Sequence, residues 1–120
     1  MSRDHRKLVV FALADRLVTE VYAISRQFPY SERFGLQMQL RKAAISASSN
    51  IVEGSARRTT REYLNFLNIA AGSAAEAGYL TEVSVRLGFL ETHDGEKIAA
   101  SYSELVARLQ ALINSLRHEP

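Results

Sequence analysis

The residues best suited to chemistry are six cations that fall within 29 positions in the first half of the sequence. They are Arg33, Arg41, Lys42, Arg57, Arg58 and Arg61. The neutral hydrogen-bonding side chains of Ser46, Ser49 and Asn50 lie among them. Such side chains supply many of the contacts that proteins make to nucleic-acid phosphates. The pattern predicts a surface that binds an RNA or DNA backbone, with contacts from Arg33, Lys42, Arg57, Arg58 and Arg61.

A plainer interpretation of the same cations stays open. They can form a solvated surface that pairs with Glu53, with Glu62 and with the acidic residues of the last helix. No aromatic residue is interleaved with the basic ones, which disfavours a site where single-strand bases stack. Arg41 lies between Leu40 and a pair of alanines, so we expect it to be a structural arginine bonded to a buried carboxylate.

The charge of the chain is unevenly divided. Residues 1–61 contain 11 Lys or Arg against 5 Asp or Glu, whereas residues 62–120 contain 4 against 8. The net charge of +2 therefore combines +6 in the first half with −4 in the second. Such polarity can serve phosphate binding, or it can pair unlike surfaces of neighbouring subunits.

Residues that would support catalysis or metal binding are sparse. The chain has no cysteine, and none of its three histidines, at positions 5, 93 and 118, follows a glutamate by three residues, as a di-iron bundle requires. The sequence contains no nucleophile elbow, Walker loop or dinucleotide-binding fingerprint. We therefore expect no enzymatic activity, no metal, no cofactor and no small-molecule substrate.

The composition sets the class of protein. A chain of 120 residues with 47% apolar positions is long enough for one domain with its own core. No apolar run approaches the ~20 residues of a membrane span, and no signal-type segment follows the N-terminus. We expect a single domain over residues 1–120 that is cytoplasmic and has no membrane partner.

Apolar residues recur at steps of three and four through almost the whole sequence, which predicts amphipathic helices. The predicted helices cover about 7–27, 33–53, 60–87 and 95–117. Gly54 is expected to end the second helix in the left-handed conformation, and Gly72 and Gly78 to mark close helix crossings. In the fourth helix the predicted buried stripe is Ile98, Tyr102, Leu105, Leu109, Leu112 and Leu116. Short connections favour an all-α, antiparallel up-down-up-down four-helix bundle.

The second and third predicted helices carry a resemblance to a known family. Residues 39–46 and 49–54 read QLRKAAIS and SNIVEG, and residues 62–67 and 69–73 read EYLNFL and IAAGS, followed by Glu76. Upstream, residues 28–29 and 32–36 read FP and ERFGL. This pattern resembles the small four-helix-bundle proteins whose genes lie in intervening sequences of bacterial 23S ribosomal RNA. The likeness spans essentially the whole chain.

The resemblance implies structure more firmly than function. Proteins of this family are four-helix bundles that assemble into rings, commonly homopentamers. A nucleic-acid role is inferred from gene context and from a related basic accessory protein of diversity-generating retroelements. No catalytic residues carry over. The family motif falls on residues expected to be structural: Arg41, Ser46, Asn50, Glu53, Gly54, Gly72, Ser73 and Glu76.

The sequence departs from the family pattern at a few positions. Ala47 and Ser48 stand where the family has Ile-Pro, so the second helix is expected to run without a proline kink. Phe11 replaces a common Trp, and Val52 replaces Ala.

Three classes of function follow from these observations. The first is an oligomeric, non-enzymatic module that binds RNA or DNA through the second helix and the loop after it. The second is an assembly or adaptor protein whose partner is another protein. The third is a small helical enzyme of the chorismate-mutase type, in which Arg41, Glu53 and Glu76 would line a pocket.

Overall fold

The apolar repeats produce four α-helices in the computed structural model, which describes residues 4, 5 and 8–118. The helices are α1 (Val9–Ile24), α2 (Leu36–Ser55), α3 (Thr60–Arg86) and α4 (Thr92–Arg117). Two 3₁₀ turns, Ser25–Gln27 and Tyr30–Glu32, connect α1 to α2. None of the described residues forms a strand. The prediction of an all-helical fold is confirmed.

The end of α1 follows from the proline after it. Phe28 is extended, with φ −62° and ψ 143°, because the ring of Pro29 disfavours the helical region for the preceding residue. The last three predicted residues of this helix form the 3₁₀ turn Ser25–Gln27. Its predicted start at residue 7 lies outside the described residues.

The end of α2 differs from the prediction at Gly54. This glycine is buried inside the helix, and among the described residues the only glycine with positive φ is Gly88, at 79°. A Cβ added to Gly54 would lie 2.9 Å from Phe66 Cβ and 3.3 Å from the Tyr63 carbonyl oxygen. The expected left-handed cap is therefore wrong: Gly54 is small because the first turns of α3 pack directly against it.

The two glycines inside α3 have different surroundings. A Cβ on Gly78 would lie 3.2 Å from Tyr102 Cβ, so this position is a close crossing with α4, as predicted. A Cβ on Gly72 would meet nothing within 4 Å, and Gly72 is exposed. The prediction of a close crossing at Gly72 within the chain is wrong.

The start of α4 lies three residues before the predicted one. The Glu91 carboxylate accepts hydrogen bonds from the backbone N–H groups of Asp94, at 2.7 Å, and His93, at 3.0 Å. These N–H groups hold the pKa of the Glu91 carboxyl below its usual value. Further along α4, Ile113 is buried where Leu112 was expected, and Leu112 is half-buried beside the core.

Helices that are adjacent in the sequence pack against one another. The largest contacts are α2 with α3 and α3 with α4, and α1 packs against α2 and α4. Midway along the α2–α3 seam, Ser46 Oγ lies 2.7 Å from Ser73 Oγ, while Gly54 near the end of α2 meets the first turns of α3. These contacts are consistent with the predicted antiparallel order. The chain measures 49 × 22 × 19 Å.

The helices of the described segment are amphipathic rather than uniformly apolar. None of them combines the length and the hydropathy required to cross a lipid bilayer.

Gly54 provides a test of the α2–α3 packing. Gly54→Ala should lower the free energy of unfolding by about 1–3 kcal/mol, because the added methyl group meets the backbone of α3, which cannot move aside. Urea denaturation followed by circular dichroism measures the change. Ser49→Ala, at an exposed position of the same helix, should change it by less than about 0.5 kcal/mol. Equal effects of the two substitutions would contradict the packing described here.

Candidate nucleic-acid interface

The six predicted cations do not form one cluster in space. Helix α2 has 20 residues, which correspond to about 30 Å along its axis. Arg33 precedes the helix, whereas Arg57 and Arg58 follow its end and Arg61 lies in the first turn of α3. Lys42 is exposed in the first half of α2. The cations are therefore spread along the bundle: Arg33 lies at one end of α2, Lys42 along it, and Arg57, Arg58 and Arg61 at the other end.

At the end of the bundle that holds the α2–α3 loop lies a further cation, Arg117, which is not among the six predicted from the sequence. An open groove at the start of α3 and the end of α4 is lined by Arg61 and Arg117, together with Thr60, Asn65, Asn68 and the acidic Glu62. Arg117 is 56 positions from Arg61 in the sequence, so only the fold brings the two side chains to the same groove. We call Arg57, Arg58, Arg61 and Arg117, all exposed, the loop-end cluster.

The Arg57 side chain in this cluster is held by weak contacts. Its Nη2 donates to Glu53 Oε2 at 2.6 Å, and its guanidinium lies 4.7 Å from the centre of the Phe66 ring. Both side chains of the ion pair are about half exposed. Exposed pairs one turn apart on a helix contribute only about 0.3–0.5 kcal/mol. A phosphate can therefore displace Glu53 from Arg57 at little cost.

The start of α3 adds positive potential to the same end. Thr59 caps the helix by accepting a hydrogen bond from the Glu62 backbone N–H at 3.1 Å, and its hydroxyl donates to Glu62 Oε1 at 2.9 Å. A helix of 27 residues carries a partial positive charge at its N-terminus. Arginine side chains and a helix N-terminus that face the same solvent favour an anion.

The other end of the bundle holds Arg33 in an unexpected setting. The Arg33 guanidinium lies 3.7 Å from the centre of the Tyr30 ring and 4.6 Å from that of Phe34. Its Nη1 also donates to the Tyr30 carbonyl oxygen at 3.2 Å. The statement that no aromatic residue accompanies the cations is therefore wrong. The signal was present in the sequence, since Tyr30 and Phe34 flank Arg33, and the 3₁₀ turn brings them together.

Arg41 has a structural setting but not the predicted partner. Its Nε donates to Ser25 Oγ at 2.7 Å and its Nη2 to the Tyr22 carbonyl oxygen at 3.2 Å. The expected buried carboxylate is wrong, because the last turn of α1 itself offers carbonyl oxygens without helical partners. Gln37 Nε2 adds a hydrogen bond to the Ser25 carbonyl oxygen at 2.8 Å. Together these side chains join α2 to the end of α1.

The remaining motif residues divide between the α2–α3 seam and the surface. Asn50 Nδ2 donates to the carbonyl oxygen of Ser46 at 2.8 Å and lies 3.1 Å from its Oγ, which in turn contacts Ser73. Glu76 is exposed on α3.

The residues considered for catalysis do not converge. Arg41 and Glu53 are 12 positions apart on one helix, which separates them by about 18 Å along the axis. Within the described part of the chain, no group of three or more His, Cys, Asp or Glu side chains is arranged to hold a metal ion.

Comparison with known proteins identifies the family. The model of the 23S rRNA-intervening sequence protein family matches residues 6–111. The chain belongs to this family. The resemblance carried by the motifs of α2 and α3 is thereby confirmed.

A solved structure has the same fold. It is the crystal structure, at 1.70 Å resolution, of a protein with unknown function from the S23 ribosomal protein family of Bacteroides thetaiotaomicron. The two chains are 22% identical and superpose with a TM-score of 0.81 over 88% of this chain and 98% of the other. At this identity the likeness establishes the fold alone. None of the curated proteins matches the sequence.

Substitution of two cations separates a structural role from a surface role in this family member. Arg41→Met should lower the free energy of unfolding by about 1.5–3 kcal/mol, because it removes two hydrogen bonds from a charged donor to the end of α1. Lys97→Met, at an exposed position of α4, should change it by less than about 0.5 kcal/mol. Thermal or urea unfolding measures both. An Arg41→Met protein as stable as Lys97→Met would refute the structural role of Arg41.

Proposed function

We propose that this protein is a non-enzymatic, oligomeric four-helix bundle with antiparallel up-down-up-down topology that binds RNA or DNA. The loop-end cluster is the main contact to the phosphate backbone. The observation that carries the proposal is that Arg61 and Arg117 line one groove at the start of α3, with Arg57 and Arg58 in the loop just before that helix. Arginine presents a planar fork that matches phosphate oxygens, and four such side chains can follow successive phosphates.

The proposal predicts binding that depends steeply on salt. At about 50 mM salt, the unmodified protein should bind a fluorescein-labelled RNA or DNA, as measured by fluorescence anisotropy, and binding should weaken as salt rises. A triple variant with Arg57, Arg58 and Arg61 changed to Ala should lose at least about ten-fold in affinity, because three phosphate contacts disappear.

The matched control removes the same charge elsewhere. Arg16, Arg86 and Arg108 are exposed on α1, α3 and α4, and changing all three to Ala should leave most of the affinity intact. Equal losses in the two triple variants would mean that net charge, not the cluster, drives binding. If the loop-end variant instead keeps its affinity and changes the solution mass, the adaptor function is favoured over nucleic-acid binding.

Self-association is supported by an apolar surface on α2 and α3. Met38, Ile45 and Ile69 are 42%, 43% and 44% exposed. Helical spacing relative to the Ser46–Ser73 contact puts them on one side of the α2–α3 pair, with Lys42 and Gly72. We call these five residues the outer face. Exposed apolar residues that cluster on one surface favour contact with another protein, and we assign Lys42 to this contact.

Gly72 gives a specific reason to expect close packing on the outer face. A glycine inside a helix costs about 1 kcal/mol relative to alanine, and none of the described residues lies within 4 Å of where its Cβ would be. A neighbouring copy whose helix approaches closely would account for it. Repetition of the loop-end cluster around a ring, which the family resemblance implies is pentameric, would raise the affinity for one nucleic acid by avidity.

Gly72→Gln tests the outer face without crowding the single chain. The added side chain has room within the protomer and improves helix propensity, so the helix content should be kept or rise. Light scattering should nevertheless show a smaller assembly, because the new side chain separates the copies. Ala107→Gln, at an exposed position on α4, should leave the mass unchanged. A Gly72→Gln protein with the mass of the unmodified protein would contradict this assignment of the interface.

A further inference from the structure

The corner between α1 and α2 carries two exposed aromatic rings around one cation. We propose that Tyr30, Arg33 and Phe34, the aromatic corner, bind unpaired nucleobases of single-stranded RNA or DNA. The inference rests on the proposed function and extends it, because it names the form of nucleic acid that the protein selects. It also adds a second contact point, at the opposite end of α2 from the loop-end cluster.

The exposure of the rings is the first observation. Tyr30 is 77% exposed and Phe34 is 72% exposed, the two highest values among the large apolar side chains of the described residues. Each ring lies against the Arg33 guanidinium, at 3.7 and 4.6 Å from the ring centres, and is otherwise largely open to solvent. Flat, exposed rings beside arginine are the surfaces on which unpaired bases stack, irrespective of sequence.

The backbone of the corner is ordered by its own hydrogen bonds. The N–H groups of Glu32, Arg33 and Gly35 donate to carbonyl oxygens three residues earlier, at 2.8, 3.2 and 3.0 Å. Arg33 Nη1 donates to the Tyr30 carbonyl oxygen, which fixes the guanidinium beside the ring. A surface that is already arranged loses little conformational entropy when a ligand binds.

The charge around the aromatic corner favours an anionic ligand such as a nucleic acid over a cationic one. The one acidic residue of the corner, Glu32, is half-buried, and its Oε1 accepts the backbone N–H of Leu36 at 3.1 Å. This hydrogen bond directs the carboxylate toward the start of α2. Arg33 is exposed, so the corner presents positive charge next to its aromatic rings.

The position of the corner predicts discrimination between single strands and duplexes. The corner and the loop-end cluster are separated by the length of α2, about 30 Å. A single strand can place phosphates at the cluster and bases on the rings. The bases of a duplex are stacked on one another, so a duplex reaches only the phosphate contacts. Removal of the rings should therefore weaken single-strand binding alone.

The double variant Tyr30→Ala/Phe34→Ala tests this selectivity in the full chain. Anisotropy would compare a labelled 12-nucleotide RNA, DNA of the same sequence, and the corresponding duplexes. Single-strand affinity should fall at least about ten-fold, since stacking on one ring is worth about five-fold or more. Duplex affinity should change less than about two-fold, and the salt dependence should be unchanged because no charge is removed. Tyr79→Ala, at an exposed aromatic of α3, is the matched control.

Stacking of bases on the corner can also be measured by fluorescence. The chain contains no tryptophan, so Phe34→Trp introduces a single indole that keeps an aromatic surface at the corner. Its fluorescence should be quenched by the single-stranded oligonucleotides at concentrations that match the anisotropy curve, and not by the duplexes. Tyr79→Trp should show no comparable quenching. Comparison of the RNA and DNA oligonucleotides shows which kind of single strand the protein prefers.

The outcomes separate this inference from the proposed function. If the unmodified protein binds neither single strands nor duplexes, both are overturned. If it binds them with a salt dependence that requires the loop-end cluster, and the double Ala variant binds single strands equally well, only the corner assignment fails. A double variant with unchanged nucleic-acid affinity but altered solution mass would show that the rings contact another protein, and would overturn the inference.

Discussion

The close approach of α2 and α3 determines where the other surfaces of the molecule lie. Gly54 admits the Tyr63 backbone to within 3.3 Å of where a Cβ would stand, and Ser46 and Ser73 meet midway along the seam. Since α2 and α3 are both long and pack along their lengths, the short loop between them is held at one end of the bundle. That placement concentrates Arg57, Arg58 and the N-terminus of α3 at a single surface. A looser seam would leave these cations on an unanchored loop.

The same seam creates the second surface of the molecule. Alanines on the inner side of α2 and α3 allow the two helices to pack closely, and helical spacing puts the outer face on the side away from the core. The two isoleucines on that face are 43% and 44% exposed, and none of the described residues lies within 4 Å of a Cβ built on its glycine. In the proposed function, the two contacts are separated in space: the apolar residues on the side of the bundle contact another copy, and the arginines at its ends contact a polyanion. A ring built through the side would leave the ends free for nucleic acid.

Much of the fold was predictable because it rests on local spacing. Steps of three and four between apolar residues identified four helices, and Pro29 identified the break after α1. The predictions were wrong where contacts between helices determine the role of a residue. Gly54 looked like a helix end, but it is a packing position, and Gly72 looked like a packing position, but it is exposed within the chain. In α4, the cap formed by Glu91 extended the helix by three residues.

The candidate site was less predictable because its residues come together only in the fold. Arg117 joins Arg61 across 56 positions of sequence, so no pattern along the chain could pair them. Conversely, sequence proximity placed Arg33 with the loop arginines, although α2 separates them by about 30 Å. Tyr30 and Phe34 are uncharged, so a pattern built on charges alone leaves out the two rings beside Arg33.

Binding of a phosphate backbone by the arginines at one end of the bundle can be measured through the salt dependence of affinity. The slope of log Kd against log salt concentration, measured with one labelled oligonucleotide, counts the phosphates that the protein neutralises. We expect the slope to become shallower by about 2–3 when Arg57, Arg58 and Arg61 are changed to Ala, since each phosphate contact contributes about 0.7–0.9. An identical slope for the variant and the unmodified protein would show that these arginines do not contact phosphates.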